Sequence, residues 1–118
     1  VLSFIGRRVV DASTGSTETA FSDRILNNLG ILNGGVICML AEEATLLAAA
    51  SALAQPISIS QLSIDFVSAV RTGPICTRAQ VVGRVRRGVI VKGQVLEAGS
   101  SRLAALVTAE IAPRSSAG

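Results

Sequence analysis

The apolar run at residues 34–54, closed by Gln55 and Pro56, constrains this chain more than any other feature. Its apolar residues recur at Val36, Leu40, Leu47 and Ala50 on one stripe and at Met39, Leu46 and Leu53 on the next. That spacing predicts one long helix over residues 35–54. Alanine and isoleucine fill much of the rest, and a helix apolar on most sides has to be surrounded by protein. The run is long enough to cross a bilayer, but Glu42 and Glu43 stand near its middle, where charge is costly in lipid, so no membrane role is expected. Pro56 ends it, because proline cannot continue the hydrogen-bond ladder and biases Gln55 away from helix.

On either side of this helix the chain reads as strand. Residues 1–11 are β-rich and punctuated by Gly6, residues 13–16 read as a turn, and residues 17–21 as a second short strand. Residues 22–33 have no sustained period and read as a loop, with room for one helical turn at residues 23–26. After Pro56, Ile57 and Ile59 share one parity while Leu62, Ile64 and Phe66 share the other. A β-bulge or bend near Ser60 and Gln61 is therefore expected.

Beyond the turn at Thr72, Gly73 and Pro74, Ala79, Val81 and Val85 alternate with Arg78, Gln80, Arg84 and Arg86, predicting a strand with one dry and one basic face. Turns at Arg87-Gly88 and Gly99-Ser100 separate two further strands, the last carrying Leu103, Ala105, Val107, Ala109 and Ile111. One buried helix followed by a meander of long antiparallel strands is an α+β pattern with a curled sheet around the helix. Residues 1–112 form a single expected domain, and residues 113–118 a flexible tail.

Composition removes whole classes of chemistry. The chain of 118 residues contains no histidine, which rules out Ser-His-Asp and Cys-His catalysis, His-ligated metals and His-based dehydration. Any catalysis has to run on carboxylates, amides and hydroxyls, and neither a metal nor a redox cofactor is expected. With no Trp or Tyr and three Phe, the core must be aliphatic. Cys38 and Cys76 have no metal or disulfide spacing and read as buried thiols. The N-terminal residues lack the pattern of a signal peptide, so a reducing, cytoplasmic location is expected. Residues 1–70 carry three basic and six acidic side chains, residues 71–118 eight and two, which points an anionic partner to the second half.

The segment Asn-Asn-Leu-Gly-Ile-Leu-Asn-Gly-Gly-Val-Ile-Cys-Met-Leu-Ala-Glu at residues 27–42 resembles the hotdog-fold acyl-CoA thioesterases of the phenylacetate-pathway and 4-hydroxybenzoyl-CoA type. In that family an Asn, a Gly, a His-Gly-Gly triplet and an acidic residue occur at this spacing. The resemblance extends less sharply through the strands to Ile111. It implies one long central helix wrapped by a curved antiparallel sheet, and an acyl-CoA substrate that brings its own coenzyme A. It also implies sites at the interface of a homodimer, or of a dimer of dimers forming a homotetramer.

Elementary chemistry gives the matching residues roles. Gly34 and Gly35 open the helix, where free N–H groups and the positive end of the dipole can hold an oxygen that becomes negative. Glycine also lets a thioester approach the backbone closely. Glu42, in a nearly all-apolar helix, is expected to be desolvated, with a raised pKa suited to a general base or nucleophile. Glu43, about 100° around the helix, is expected to be solvated or structurally paired. Gly34 and Glu42 stand eight residues apart, about 12 Å on a straight helix, too far to touch one thioester. If both act, they come from different subunits, and a two-fold dimer follows.

The resemblance assigns Asn27 to orienting water or substrate; a loop-capping amide is the alternative. Asn33 is the departure, standing where the family usually has His, and can cap the helix instead. The family often supplies a strand hydroxyl near the acid; direct alignment lands on Ile59, and the expected bulge can bring Ser60 into place, although a plain strand hydroxyl is the simpler reading. Thr45 reads as a buried hydroxyl bonded to the helix backbone. Arg84, Arg86, Arg87 and Lys92 gather around Gly88, and similar thioesterases bring this hairpin to the coenzyme A phosphates, which guanidinium groups suit. The alternative for the hairpin is a solvated surface. Nucleic acid is disfavoured, since no aromatics interleave with the arginines. A non-catalytic acyl-CoA binding or sensing module is the alternative function, and a purely structural relative of the fold a third.

Overall fold

The computed structural model describes residues 5–22, 25, 32–98 and 100–114. Helix α1, Gly34–Leu53, lies against a six-stranded sheet formed by β1 (Arg7–Asp11), β2 (Ser16–Thr19), β3 (Ile57–Phe66), β4 (Ile75–Val85), β5 (Gly88–Glu97) and β6 (Arg102–Pro113). All pairings are antiparallel, in the order β1-β2-β4-β5-β6-β3. This is the expected α+β hotdog architecture. A short 3-10 turn, Ala12–Thr14, closes the first hairpin with Gly15 in the left-handed region (φ 59).

Alternation along the strands puts one face of the sheet on α1. Two clusters share that layer. Val36, Ile37, Leu40 and Ala41 of the first half of α1 pack with Ile75, Val95, Ala105 and Val107. Ala44, Ala48 and Ala49 of its second half pack with Ala79, Val89, Val91, Ala109 and Ile111. The alanines let helix and sheet approach closely; a Cβ on Gly15 would stand 2.5 Å from Ala44 O.

The bulge expected near Ser60 is present. Ile59 opposes Ile111 and Gln61 opposes Glu110, leaving Ser60 as the additional residue. It corrects the slip in parity: Leu62, Ile64 and Phe66 oppose Ala109, Val107 and Ala105, so they return to the face already used by Ile57 and Ile59.

Four expectations change. The basic alternation of β4 holds only to Val81, because Val82 is a second bulge; Gly83 opposes Ile90 and Arg84 opposes the buried Val89. Arg84 therefore belongs to the helix side of the sheet, while Arg78, ahead of the bulge and opposite Gln94, belongs to the other. Cys38 and Cys76 are half-buried free thiols rather than buried ones. Burial and the neighbouring Glu18 charge push the Cys76 thiol up. Residues 113 and 114, expected in the tail, are tied to the sheet, since Pro113 pairs with Ile57 and the Arg114 N–H bonds Pro56 O. Finally, one chain covers only one side of α1: Gly34, Gly35, Glu42, Ala50, Ser51 and Ala52 are exposed. The helical turn expected at residues 23–26 lies, apart from Ile25, outside the described residues.

Candidate active site

Asn33 is the N-cap of α1. Its backbone is extended (φ −61, ψ 131) and its Oδ1 accepts the Gly35 N–H at 2.7 Å. Its carbonyl takes the Val36 and Ile37 N–H groups, and its own N–H bonds Ile25 O. The cap therefore occupies the Gly35 amide and leaves the Gly34 N–H at the exposed first position of the helix, where the dipole is positive. Among the described residues, no atom lies within 4 Å of where a Gly34 Cβ would stand.

Glu42 is two turns further on and exposed in the single chain. The desolvation expected from its apolar neighbours along the sequence is therefore not provided by this chain, because Glu42 lies on the uncovered side of α1. Beneath it, the fully buried Thr45 donates its hydroxyl to Glu42 O at 2.8 Å, the helix-backbone role expected for it. Glu43 turns the other way and is paired: Arg7 Nη2 lies 2.9 Å from Glu43 Oε2. Burial holds the Glu43 carboxyl above the usual range, and Arg7 opposes that shift. Of the two expectations for Glu43, solvation or pairing, the structure has pairing, with one of the three cations that precede residue 71.

The remaining candidates are dispersed. Ser60 is exposed at the β3 bulge, and its hydroxyl donates to Glu110 O at 3.0 Å, so it serves the strand backbone. Arg86 and Arg87 form the two-residue turn between β4 and β5. Gly88 is required there by packing, since a Cβ would collide with the Ile111 carbonyl. Lys92 opposes Gln80, about 13 Å along β5 from Gly88, so it does not join the tip. The hairpin adjoins Val89 and Ile111, the core of the second half of α1, whereas Gly34 stands at the other end of a helix about 30 Å long. Asn27 lies outside the described residues.

No single chain thus brings Gly34, Glu42 and the Arg86–Arg87 turn together. A cavity of about 1000 Å³ lies elsewhere, bordered by Asp65, Arg78, Gln80, Lys92 and Leu106 among others, and includes neither Gly34 nor Glu42. The His/Cys/Asp/Glu groupings that could hold a metal ion are absent among the described residues. What the helix offers is an amide at its exposed start and a carboxylate on its open side.

No curated protein matches the chain in sequence. Its fold is shared with a thioesterase from Haemophilus influenzae (TM-score 0.83, 19% identity, 94% of this chain and 80% of that one). It is shared also with a mutant of the phenylacetic acid degradation protein PaaI from Thermus thermophilus (0.82, 22%, 96% and 97%). A conserved protein from Pseudomonas aeruginosa superposes equally well (0.83, 21%, 94% and 90%). Residues 29–104, most of the chain and the whole of α1, match the thioesterase superfamily, and the chain belongs to that family.

Proposed function

We propose that this protein hydrolyses an acyl-CoA thioester to a free acid and coenzyme A, at a site shared by two subunits. The observation that carries this reading is the exposed start of α1, where the Asn33 side chain caps the Gly35 N–H and not that of Gly34. Family membership supports thioester hydrolysis as the general chemistry. Glu42 of the second subunit takes a proton from water as the water oxygen attacks the carbonyl carbon, and the Gly34 amide holds the resulting oxyanion. Collapse expels the thiolate, which takes the proton back from Glu42. In the direct variant, the Glu42 carboxylate itself attacks and the mixed anhydride is then hydrolysed. Asn27 orients the water or the substrate.

The dimer is proposed to form through β3. This ten-residue strand is an edge of the sheet, with Leu62 and Phe66, 36% and 58% exposed, on its helix side and Val67, 53% exposed, just beyond it. Such an edge is a template for pairing with another strand. The opposite edge, β1, has five residues. Antiparallel pairing of two β3 strands covers the open side of α1, desolvates Glu42, and sets each α1 start toward the far end of the partner helix. The Arg86–Arg87 turn then reaches the coenzyme A phosphates bound near the partner's start of α1, with Asn33, Gly35, Ser60 and Gly88 around the entry. Mass measured in solution separates a dimer from a dimer of dimers. A reducing, cytoplasmic setting is proposed with this substrate.

Thiol-release assays over short, long and aromatic acyl-CoAs test the reaction. Turnover is expected with at least one class, and Glu42→Gln is expected to lower kcat by about 10²–10⁴. Unchanged turnover of the variant on every responsive substrate contradicts the mechanism. The second reading, an acyl-CoA binding or sensing module, is favoured by two observations: Asn33 spends its side chain on the cap, and the Ser60 hydroxyl is bound to Glu110 O. Saturable binding without thiol release identifies it.

A further inference from the structure

Among the described residues, three buried side-chain polar atoms lack a hydrogen-bond partner: Arg7 Nε, Thr19 Oγ1 and Glu43 Oε1. They are not scattered. Arg7 and Thr19 are directly opposed across β1 and β2, so their side chains leave the same face of the sheet. Thr19 in turn opposes the core residue Ile75, which makes that face the one on α1. Arg7 reaches across to Glu43, but the pair is held through Nη2 and Oε2 alone. Thr19 is fully buried. All three residues therefore lie at the junction of the first hairpin with the helix turn after Glu42.

Buried groups of this kind are normally satisfied, and a buried water normally makes about three hydrogen bonds. We propose that this junction is a binding site for one ordered water, held by Arg7 Nε, Thr19 Oγ1 and Glu43 Oε1. The chemistry of the three atoms matches one water molecule. Its oxygen accepts from the Arg7 Nε–H, one hydrogen goes to Glu43 Oε1, and the Thr19 hydroxyl takes a third bond as donor or acceptor. The water joins β1, β2 and α1 at one point and fixes the hairpin to the helix beside the candidate catalytic turn. The inference does not depend on thioester chemistry.

A crystal structure showing ordered solvent, together with the melting temperature of Thr19→Val, tests it. Valine keeps the branched shape and removes the hydroxyl. A density peak within hydrogen-bonding distance of all three atoms, and a melting temperature lowered by the valine, are expected. A direct Arg7 Nε to Glu43 Oε1 bond with no peak between the groups overturns the proposal. So does a higher melting temperature for Thr19→Val, since removing a hydroxyl that truly lacks a partner stabilises the fold.

Discussion

The two ends of helix α1 use small residues for opposite reasons. At its second half, alanines on the helix and Gly15 on the first hairpin allow close packing, and a Cβ on Gly15 would meet Ala44 O at 2.5 Å and Ala79 Cβ at 2.8 Å. At its start, nothing among the described residues stands within 4 Å of a Gly34 Cβ. One glycine is demanded by the chain's own core. Nothing among the described residues requires the other to be glycine, and in the proposed reaction it lets a substrate carbonyl approach the backbone. The closed end holds the fold, and the open end is the one proposed to carry the chemistry.

Gly34→Pro is the sharpest way to break this contrast. Proline is tolerated at the first helical position, and the extended Asn33 backbone is the conformation favoured before proline. The substitution removes the free N–H and little else. Thiol release is expected to fall by about 10²–10³, as for loss of an oxyanion donor, with the melting temperature nearly unchanged.

Gly15→Ala should do the reverse. It forces a side chain into the left-handed region and into Ala44 O, and is expected to cost about 2–3 kcal/mol in denaturant unfolding while the folded fraction keeps its activity. If Gly15→Ala leaves stability intact, the close packing of the second half is not the constraint described.

The smallest effect belongs to Glu97, at the end of the sheet nearer Gly34. The Ser100 hydroxyl and the Arg71 and Thr72 amides bond its carboxylate and hold it below 4.5, the ordinary glutamate value. A carboxyl depressed by folding contributes stability above 4.5 and loses it as pH falls through its folded value. Glu43 has the opposite sign, because burial raises its carboxyl: its contribution is most favourable below 4.5 and declines as pH rises through its folded value. Glu97→Gln should therefore flatten the loss of stability on acidification below about pH 5, measured by unfolding across that range.

Much of this was legible in the sequence, residue by residue. Pro56 and the apolar run located α1 to within a residue, and the parity slip between Ile59 and Leu62 located the Ser60 bulge. The Val82 bulge escaped because Val81 and Val82 are both good strand residues and either can continue the pattern. Exposure of Glu42 escaped for a different reason: apolar neighbours along a helix say nothing about which side another element covers. Arg7 found Glu43 far along the sequence, a pairing that only the packing of β1 against α1 determines. The distance from Gly34 to Glu42, by contrast, follows from helix geometry alone, and it raised the need for a second chain before any fold was known.

That second chain is the central claim, and mixing two inactive variants tests it directly. A hybrid dimer of Glu42→Gln and Gly34→Pro chains carries one site with both residues changed and one site with both intact. Co-refolded at equal ratio, the mixture is expected to regain about a quarter of wild-type thiol release, because half of randomly formed dimers are hybrids with one working site of two. Activity no higher than that of either variant alone, with hybrid dimers shown to have formed, contradicts a site built from Gly34 of one subunit and Glu42 of the other.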